Sequence, residues 1–325
     1  MSEVGNDAMS VRTKTSVLIT GGRGFVGRAL VKLLLESGLS LVSLDRAPVA
    51  GSQGLAHDVC CDISDHDQLQ RIFEQDRISH VIHLAAVLPT AAQRDPVLAT
   101  QVNVVGSLNL LELARQFGVR RFVFASSLSI YGTWDEGHVV SEADRAAPED
   151  VYGAAKVYVE KLGAAYREKH GMDFVSLRIG RVVGPGANSA TSAWRSQLFE
   201  FLNTDRPVKI EIPYVGSERV LLTNVEDVAR ALLILLQAEK PAHAVYNAPC
   251  ESIVVQDLKR EVERLNANIS VKLGGASVIG NPRLLDFSRF QKEFGLPMDP
   301  IFAQLRCAAG GDARRTAGED AGATG

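Results

Sequence analysis

The first half of the chain alternates short apolar runs with longer segments in which apolar residues recur every three or four positions. Runs such as "SVLIT" (16–20) and "SHVIHLAA" (79–86) predict buried strands, and "GRALVKLLLESG" (27–38) is typical of an amphipathic helix. Because the strands are apolar throughout and helices separate them, the pattern predicts a parallel sheet covered on both faces. Right-handed crossovers then give an α/β, doubly wound fold of the Rossmann type.

The alternation becomes less regular after Gly184. We therefore expect residues 15–183 to form the Rossmann-type domain, and residues 184–309 to form a small C-terminal α/β substrate lobe from which the chain can cross back to the sheet. Residues 1–14 lack the apolar core of a signal peptide and are interpreted as a flexible N-terminal extension. Residues 310–325 contain almost no large apolar side chain and are predicted to be a disordered tail.

Composition and charge exclude several kinds of partner. The net charge is −3, so the chain offers no strongly basic surface for nucleic acid or for an anionic membrane. The longest apolar helical stretch, "ALLILLQ" (231–237), is too short to span a bilayer. The four cysteines have neither metal-ligand nor redox-motif spacing, so we expect no metal site and a reducing, cytoplasmic location.

Three glycines mark the junction between the first predicted strand and the first predicted helix: Gly21, Gly24 and Gly27. Free backbone N–H groups and the helix dipole favour a phosphate at such a junction. Gly21 permits the tight turn, Gly24 lets a pyrophosphate approach the backbone, and Gly27 lets the helix pack closely on the sheet. A strand–helix turn without a ligand shows the same pattern, so the glycines need support from other residues.

Two carboxylates downstream give that support. Asp45 ends the second strand, where a carboxylate meets the adenosine ribose, and Asp62 follows a short third strand, where it can reach the adenine. Together with the glycines they predict a dinucleotide site. Asp45 favours NAD over NADP, because a carboxylate repels the extra phosphate of NADP. Arg46 could pair with that phosphate, cover the adenine, or be a solvated charge.

A tyrosine and a lysine, Tyr152 and Lys156, lie four residues apart on a predicted helix, so they share one face. The spacing alone is common on surface helices, but the preceding strand ends in "FASS" (124–127), and ligands bind beyond such strand ends. The pKa of free tyrosine is about 10, and we expect the Lys156 ammonium and the nicotinamide charge to lower it. Tyr152 could then act as the general base on a substrate hydroxyl, while Lys156 holds the cofactor ribose and Ser127 binds the reacting oxygen.

In these motifs the sequence resembles the extended short-chain dehydrogenase/reductase family, in its NAD-dependent epimerase/dehydratase branch. The resemblance covers about residues 16–186 and extends to "TNVEDVARALL" (223–233); its elements include "TGGRGFVG", "CDISD", "HLAA", "NVVGSLNLLELA", "FASSLSIYG", "YGAAK" and "LRIGRVVGPG". It implies an NAD(P)-binding Rossmann domain with a C-terminal substrate lobe, and a homodimer formed through a four-helix bundle. It also implies a Ser–Tyr–Lys triad, with Ser127 rather than Ser126 at the serine position. Further cofactor contacts that it implies are Phe25, Val26, Ile63, Leu84, Ala85, Ala86 and Asn103.

The departures from the family pattern concern the substrate. Sugar-nucleotide dehydratases carry Thr-Asp-Glu where this chain has Ser127, Leu128 and Ser129, so dehydration is not expected. Arg219 lies one residue upstream of the family's diphosphate-binding arginine, which turns a strand side chain to the other face unless a bulge intervenes. The departures favour a smaller hydroxylated or carboxylated substrate over a nucleotide sugar. Each arginine in this region could bind a carboxylate or could be a solvated surface charge. The candidate substrate contacts are Thr90, Ser127, Ser129, Arg181, Arg195 and Arg219.

The leading interpretation is an NAD-dependent oxidoreductase that acts on a secondary alcohol of a sugar, a sugar acid or a similar small molecule. The alternative is an NAD-dependent (nucleotide-)sugar epimerase that keeps its cofactor bound and uses the same residues. A third hypothesis, a non-catalytic NAD(P)-binding regulator, is disfavoured because Ser127, Tyr152 and Lys156 are all present.

Overall fold

The computed structural model describes residues 15–46, 56–187 and 192–310 of the 325-residue chain. The predicted N-terminal extension and the predicted tail beyond residue 310 lie outside these ranges. The strands are β1 (Ser16–Thr20), β2 (Leu41–Asp45), β3 (Ala56–Cys60), β4 (Ile78–His83), β5 (Arg121–Ser127), β6 (Val139–Val140), β7 (Asp173–Ile179), β8 (Arg181–Val183), β9 (Val208–Tyr214), β10 (Arg219–Asn224), β11 (Val245–Asn247), β12 (Glu251–Val254), β13 (Ile269–Ala276) and β14 (Leu284–Leu285). The α-helices are α1 (Phe25–Glu36), α2 (His66–Gln75), α3 (Pro89–Arg94), α4 (Pro96–Thr100), α5 (Ser107–Gln116), α6 (Val151–His170), α7 (Trp194–Glu200), α8 (Val225–Gln237), α9 (Val255–Leu265), α10 (Ser288–Phe294) and α11 (Ile301–Ala309).

Seven strands of the described ranges form one sheet, in the order β11-β7-β5-β4-β1-β2-β3, with every pair parallel. The strand order reverses between β1 and β4, which pair from Val17 with His80 to Thr20 with His83. Ligands of open α/β sheets bind at this switch point, outside the carboxyl ends of the strands. The predicted Rossmann-type fold is confirmed.

Apolar helix faces cover the sheet on both sides. On one side α1 and α8 contribute residues such as Leu30 and Leu232 to a buried cluster. On the other side α2 and α5 contribute residues such as Phe73 and Leu111. This double cover explains why the central strands are apolar throughout rather than alternating.

The C-terminal part of the chain builds a smaller lobe from the three-stranded sheet β12-β10-β8, the pair β13-β9, and helices α7, α9 and α11 around a third cluster. Three later elements return to the large sheet, as the sequence analysis allowed. Strand β11 pairs with β7, α8 packs on α1, and Phe290 of α10 joins the cluster of the large domain. The residues after 184 therefore contribute both to the small lobe and to the large sheet.

The helical run that begins after Asp95 is not uniform. It consists of α4, a π-helical turn at Gln101–Gly106, and α5. Such a turn inserts one residue into the helix and often lies at a functional site. The run Pro96–Gln116 was overlooked in the sequence; it is longer than the stretch 231–237 and is apolar enough to span a bilayer by length and composition. Half of its apolar window is buried inside the fold, as in a core helix.

Candidate active site

The glycine loop packs tightly against the end of β4. Gly21 has φ of 72°, and a Cβ on it would lie 2.9 Å from the backbone nitrogen of Ala85. A Cβ on Gly27 would overlap the Gly21 carbonyl oxygen and lie 2.8 Å from the Gly22 Cα. Helix α1 starts immediately after Gly24, and no side chain among the described residues caps it. Its first N–H groups are therefore available to an anion, as in a pyrophosphate-binding site.

The two predicted carboxylates lie beside this loop but in different roles. Asp45, at the end of β2, accepts a hydrogen bond from the Arg23 backbone N–H at 3.1 Å and so fixes the loop. Asp62 closes a turn, because its Oδ1 accepts from the backbone N–H and the hydroxyl of Ser64 at 2.9 and 2.7 Å. Arg46 is exposed next to Asp45. The ribose and adenine contacts stay predictions.

The floor of the cleft is a chain of hydrogen bonds around His83, which is buried. Its Nδ1 lies 2.7 Å from the Thr20 hydroxyl and its Nε2 lies 2.8 Å from the Ser107 hydroxyl. Burial, and the charge of Lys156, lower the pKa of His83 to about 3, so the ring is neutral. His83 therefore acts as a structural residue, with both ring nitrogens engaged.

The predicted cofactor residues surround this floor. Asn103, in the π-helical turn, holds Val87 by two hydrogen bonds: its Oδ1 accepts at 2.7 Å and its Nδ2 donates at 2.9 Å. Ile63 is buried under the same turn, where a Cβ on Gly106 would overlap its side chain. The remaining predicted contacts are half-buried at the start of α1 or after β4: Phe25, Val26, Leu84, Ala85 and Ala86.

The structure brings Ser127, Tyr152 and Lys156 together at the carboxyl end of β5. Asp150 caps α6 by accepting from the Gly153 N–H at 2.6 Å, which fixes the start of the helix that carries Tyr152 and Lys156. The Ser127 hydroxyl is close enough to the Tyr152 phenol to lower its pKa, and it donates a hydrogen bond to the Ser129 hydroxyl at 3.2 Å. Tyr152 also packs near Ala86 and Val87, which follow β4.

Lys156 is buried below the tyrosine. Its Nζ donates to the Ala125 carbonyl at 2.7 Å and lies 4.5 Å from the centre of the Phe124 ring. The same Nζ lies 5.5 Å from the centre of the Tyr152 ring. The Nζ therefore lies under the ring of Tyr152, and its hydrogen bond to the end of β5 is the one it makes within the described ranges.

The expected lowering of the Tyr152 pKa by Lys156 is wrong for this structure. Burial raises the pKa of Tyr152 to about 12, and the negative charge of Asp150 adds to this rise. The Ser127 hydroxyl and the positive charge of Arg195 oppose the rise. Burial also lowers the pKa of Lys156 to about 7, against the opposing charge of Glu160. Desolvation disfavours the charged form of both groups and exceeds their mutual effect.

A buried polar network behind Lys156 was missed in the sequence. Arg178 donates from Nη2 to Glu160 at 2.7 Å and from Nη1 to the Tyr131 hydroxyl at 2.7 Å. Tyr131 donates in turn to Asn247 on β11 at 2.7 Å. Glu160 follows Lys156 by one helical turn, so the series Tyr152, Lys156, Glu160 on one helix face was the signal that could have revealed it.

The candidate substrate residues divide into two groups. Arg181 and Arg195 lie near each other, and Arg195 acts electrostatically on Tyr152. Ser129 N–H donates to the Ser127 Oγ at 3.1 Å. Thr90 is exposed on α3, which packs on α6.

Arg219 is not brought to this cluster. It is exposed at the start of β10, where Leu222, three residues later, pairs with Arg181. Side chains alternate along a strand, so Arg219 and Arg181 belong to opposite faces of the small sheet. Within the described ranges, no group of three or more histidine, cysteine or acidic residues is arranged to hold a metal ion.

Comparisons with known proteins agree with this geometry. The sequence profile described as "NAD dependent epimerase/dehydratase family" matches residues 17–248. A UDP-glucuronate 4-epimerase of Thermodesulfobacterium geofontis is 31% identical over 235 residues, which are 68% of this chain and 71% of that protein. The mitochondrial L-threonine 3-dehydrogenase of Sus scrofa is 27% identical over 78% of this chain and 69% of its own length. The crystal structure of Thermus thermophilus UDP-glucose 4-epimerase with NAD has a TM-score of 0.79 at 27% identity, covering 91% of this chain and 98% of that one.

Proposed function

This chain belongs to the NAD-dependent epimerase/dehydratase family, and on that premise we propose that it oxidises a secondary alcohol of a small hydroxylated substrate with Tyr152 as general acid/base. The family consists of NAD-dependent enzymes, which confirms the expected cofactor. The observation that carries the proposal is the Ser127–Tyr152 pair, with Lys156 beneath it, at the strand end that faces the glycine loop.

Each residue of the triad has a distinct task. Tyr152 takes the proton of the substrate hydroxyl in its phenolate form, which is a minor species at a pKa of about 12 and which the positive nicotinamide of bound NAD would favour. Ser127 donates a hydrogen bond to the same oxygen as carbonyl character develops. Lys156 donates to the Ala125 carbonyl, lies on the ring of Tyr152 and would hold the ribose of NAD; because its pKa is lowered to about 7, only part of the Lys156 population is charged near neutral pH. NAD, when bound, supplies the hydride acceptor. Phe25 and Val26, which are half-buried at the start of α1, would cover the pyrophosphate of NAD.

The test is turnover by purified wild-type protein and by Tyr152→Phe with NAD and a panel of sugars, sugar acids, small hydroxy acids and L-threonine. We expect NADH to accumulate with at least one substrate in the wild type and to disappear in the variant. Equal NAD binding by the two proteins is the matched control. A variant with wild-type turnover would refute the role of Tyr152.

The epimerase alternative is kept because two relatives in the comparison carry that activity in their names. Both activities use the same triad, so geometry alone does not separate them. Product formation without net NADH, by protein that carries NAD through purification, would favour the epimerase.

We also propose a homodimer through the helices next to the site. Apolar side chains are exposed on the run from α4 to α5, where Val97 is 73% and Leu108 is 38% accessible, and on α6, where Tyr158 is 52% accessible. Pairing these helices between two copies would give a four-helix bundle and would cover the apolar side chains. Sedimentation should give twice the monomer mass, and Val97→Lys/Leu108→Lys should give the monomer mass.

A reducing, cytoplasmic location is proposed from the cysteines. All four lie in the described part of the chain and are free, with Cys61 and Cys250 buried. Burial raises the pKa of both thiols to about 12, so they remain protonated and unreactive. Titration of the denatured protein without reductant should find four thiols.

A further inference from the structure

Two arginines of the small lobe converge on the site without an acidic partner among the described residues that act on them. Arg181 begins β8, and its Nε donates to the Tyr214 hydroxyl at 3.3 Å while its guanidinium lies 5.4 Å from the centre of the same ring. Its Nη1 is buried and has no hydrogen-bond partner in the part of the chain that the structure describes. A buried donor left unpaired is costly, so this geometry is typical of a ligand contact.

Arg195 lies on the neighbouring helix α7 and is half-buried. The groups that act on it are Arg181, Tyr214 and Tyr152, and burial and the charge of Arg181 both lower its pKa. Two like charges held together in a partly desolvated place repel each other. An anion between them would relieve this repulsion and supply the missing acceptor, and carboxylates match the planar guanidinium in a bidentate way.

We propose that Arg181 and Arg195 form a carboxylate-binding pair that selects small hydroxy acids and sugar acids as substrates. The inference rests on the proposed oxidation at Tyr152. The charge of Arg195 acts on both Arg181 and Tyr152, so we place the anion on the side of the site that carries Tyr152. The diphosphate of a nucleotide sugar is separated from the reacting carbon by much of a sugar ring, so a carboxylate on the reacting molecule itself fits better.

The sequence explains why the pair forms. Arg181 pairs with Leu222 in the small sheet, so it points to the face where Trp194 and Tyr214 lie at right angles, with ring centres 6.3 Å apart. Helix α7 is tied to the same strand, because the Gly184 N–H donates to the Arg195 carbonyl at 3.2 Å. The aromatic side chains give a rigid wall on which the Arg181 guanidinium stacks.

The experiment measures binding to NAD-loaded protein by calorimetry and turnover by NADH absorbance. The probes are three- to six-carbon hydroxy acids, uronic acids and L-threonine, each beside its neutral alcohol, sugar or amide, together with sugar phosphates and UDP-glucose. Acids should bind, and neutral partners should lose about 100-fold in kcat/KM, because the buried donors would stay unpaired. Arg181→Gln and Arg195→Gln should raise KM for the acid about 100-fold, and Arg181→Lys should recover part of it because the charge remains without the bidentate geometry.

The matched control is Arg206→Gln, because Arg206 is exposed in the same lobe; it should behave like the wild type. Failure of every acid to bind, or equal turnover of acids and neutral partners in wild type and Arg variants, overturns the carboxylate pair. Preference for a sugar phosphate or for UDP-glucose overturns it as well. If a neutral alcohol is then turned over, the proposed oxidation at Tyr152 still holds and the carboxylate pair alone is refuted. If the protein binds NAD but forms no NADH with any substrate, the proposed oxidation itself is contradicted.

Discussion

Gly27→Ala tests whether the glycine loop binds the pyrophosphate of NAD. An added Cβ would overlap the Gly21 carbonyl oxygen and lie 2.8 Å from two Gly22 backbone atoms, closer than the 3.0 Å that real Cβ atoms keep. The obstacle is backbone, so no side-chain rotation relieves it. Moving the Gly21 carbonyl also disturbs the bond that it accepts from the Gly24 N–H at 3.0 Å.

The free energy of unfolding can be worked from these contacts. Overpacking against backbone costs about 1–3 kcal/mol, and a weakened hydrogen bond adds about 0.5–1.5 kcal/mol. The better helix propensity of alanine returns about 1 kcal/mol. We expect a net loss of about 1–3 kcal/mol, measured by urea denaturation without NAD.

The affinity for NAD should fall further than the stability. A pyrophosphate that depends on several N–H groups loses more than one contact when the loop shifts, so we expect Kd to rise at least about 10-fold. The matched control is Gly137→Ala, because a Cβ there meets nothing within 4 Å. Wild-type affinity for NAD in folded Gly27→Ala would refute the assignment of this loop as the phosphate seat.

Three further predictions concern α6 and the network behind it. Tyr152→Phe should keep NAD binding and lower kcat by about 10²–10⁴-fold, as loss of a general base does; rapid-quench assays check this, and a smaller loss contradicts it. Lys156→Met should abolish turnover. It should also change how the free energy of unfolding depends on pH, because the folded-state pKa of Lys156 is lowered to about 7. Above that pH the unfolded wild-type chain binds more protons than the folded chain, so its stability rises towards pH 10. The difference between wild type and Lys156→Met should show this rise, of at most about 1.4 kcal/mol per pH unit, and parallel curves would refute it. Arg178→Met should lower the free energy of unfolding by about 3–5 kcal/mol, because it leaves Glu160 buried and unpaired, and the double substitution Arg178→Met/Glu160→Met should recover most of that loss. Denaturation curves that show the same loss for the single and the double variant would contradict the pairing.

The parts of the site that local sequence specifies were predictable. The spacing of Gly21, Gly24 and Gly27 is a property of one strand–helix turn, and the Tyr152–Lys156 pair is a property of one helix face. Alternation of apolar runs and helices was enough to predict a parallel sheet covered on both faces, because such a sheet demands that pattern.

Contacts between distant elements were not predictable in the same way. The Arg181–Tyr214 stack joins two strands of different small sheets, and Tyr214 stands in an ordinary alternating strand. The return of β11 to the large sheet depends on its pairing with β7, which no local pattern encodes. The sign of the Tyr152 pKa shift was missed because it depends on burial, which exceeds the effect of nearby charges.

The central claim is that Tyr152 removes the proton while hydride passes to NAD. A single-turnover experiment with enzyme in excess, NAD bound and the substrate panel added, follows NADH by its near-ultraviolet absorbance, and so detects transient as well as net reduction. We expect NADH to form in the wild type, and to form about 10²–10⁴-fold more slowly in Tyr152→Phe at equal NAD occupancy. An equal signal in both proteins, or none in the wild type with any secondary alcohol, would contradict it.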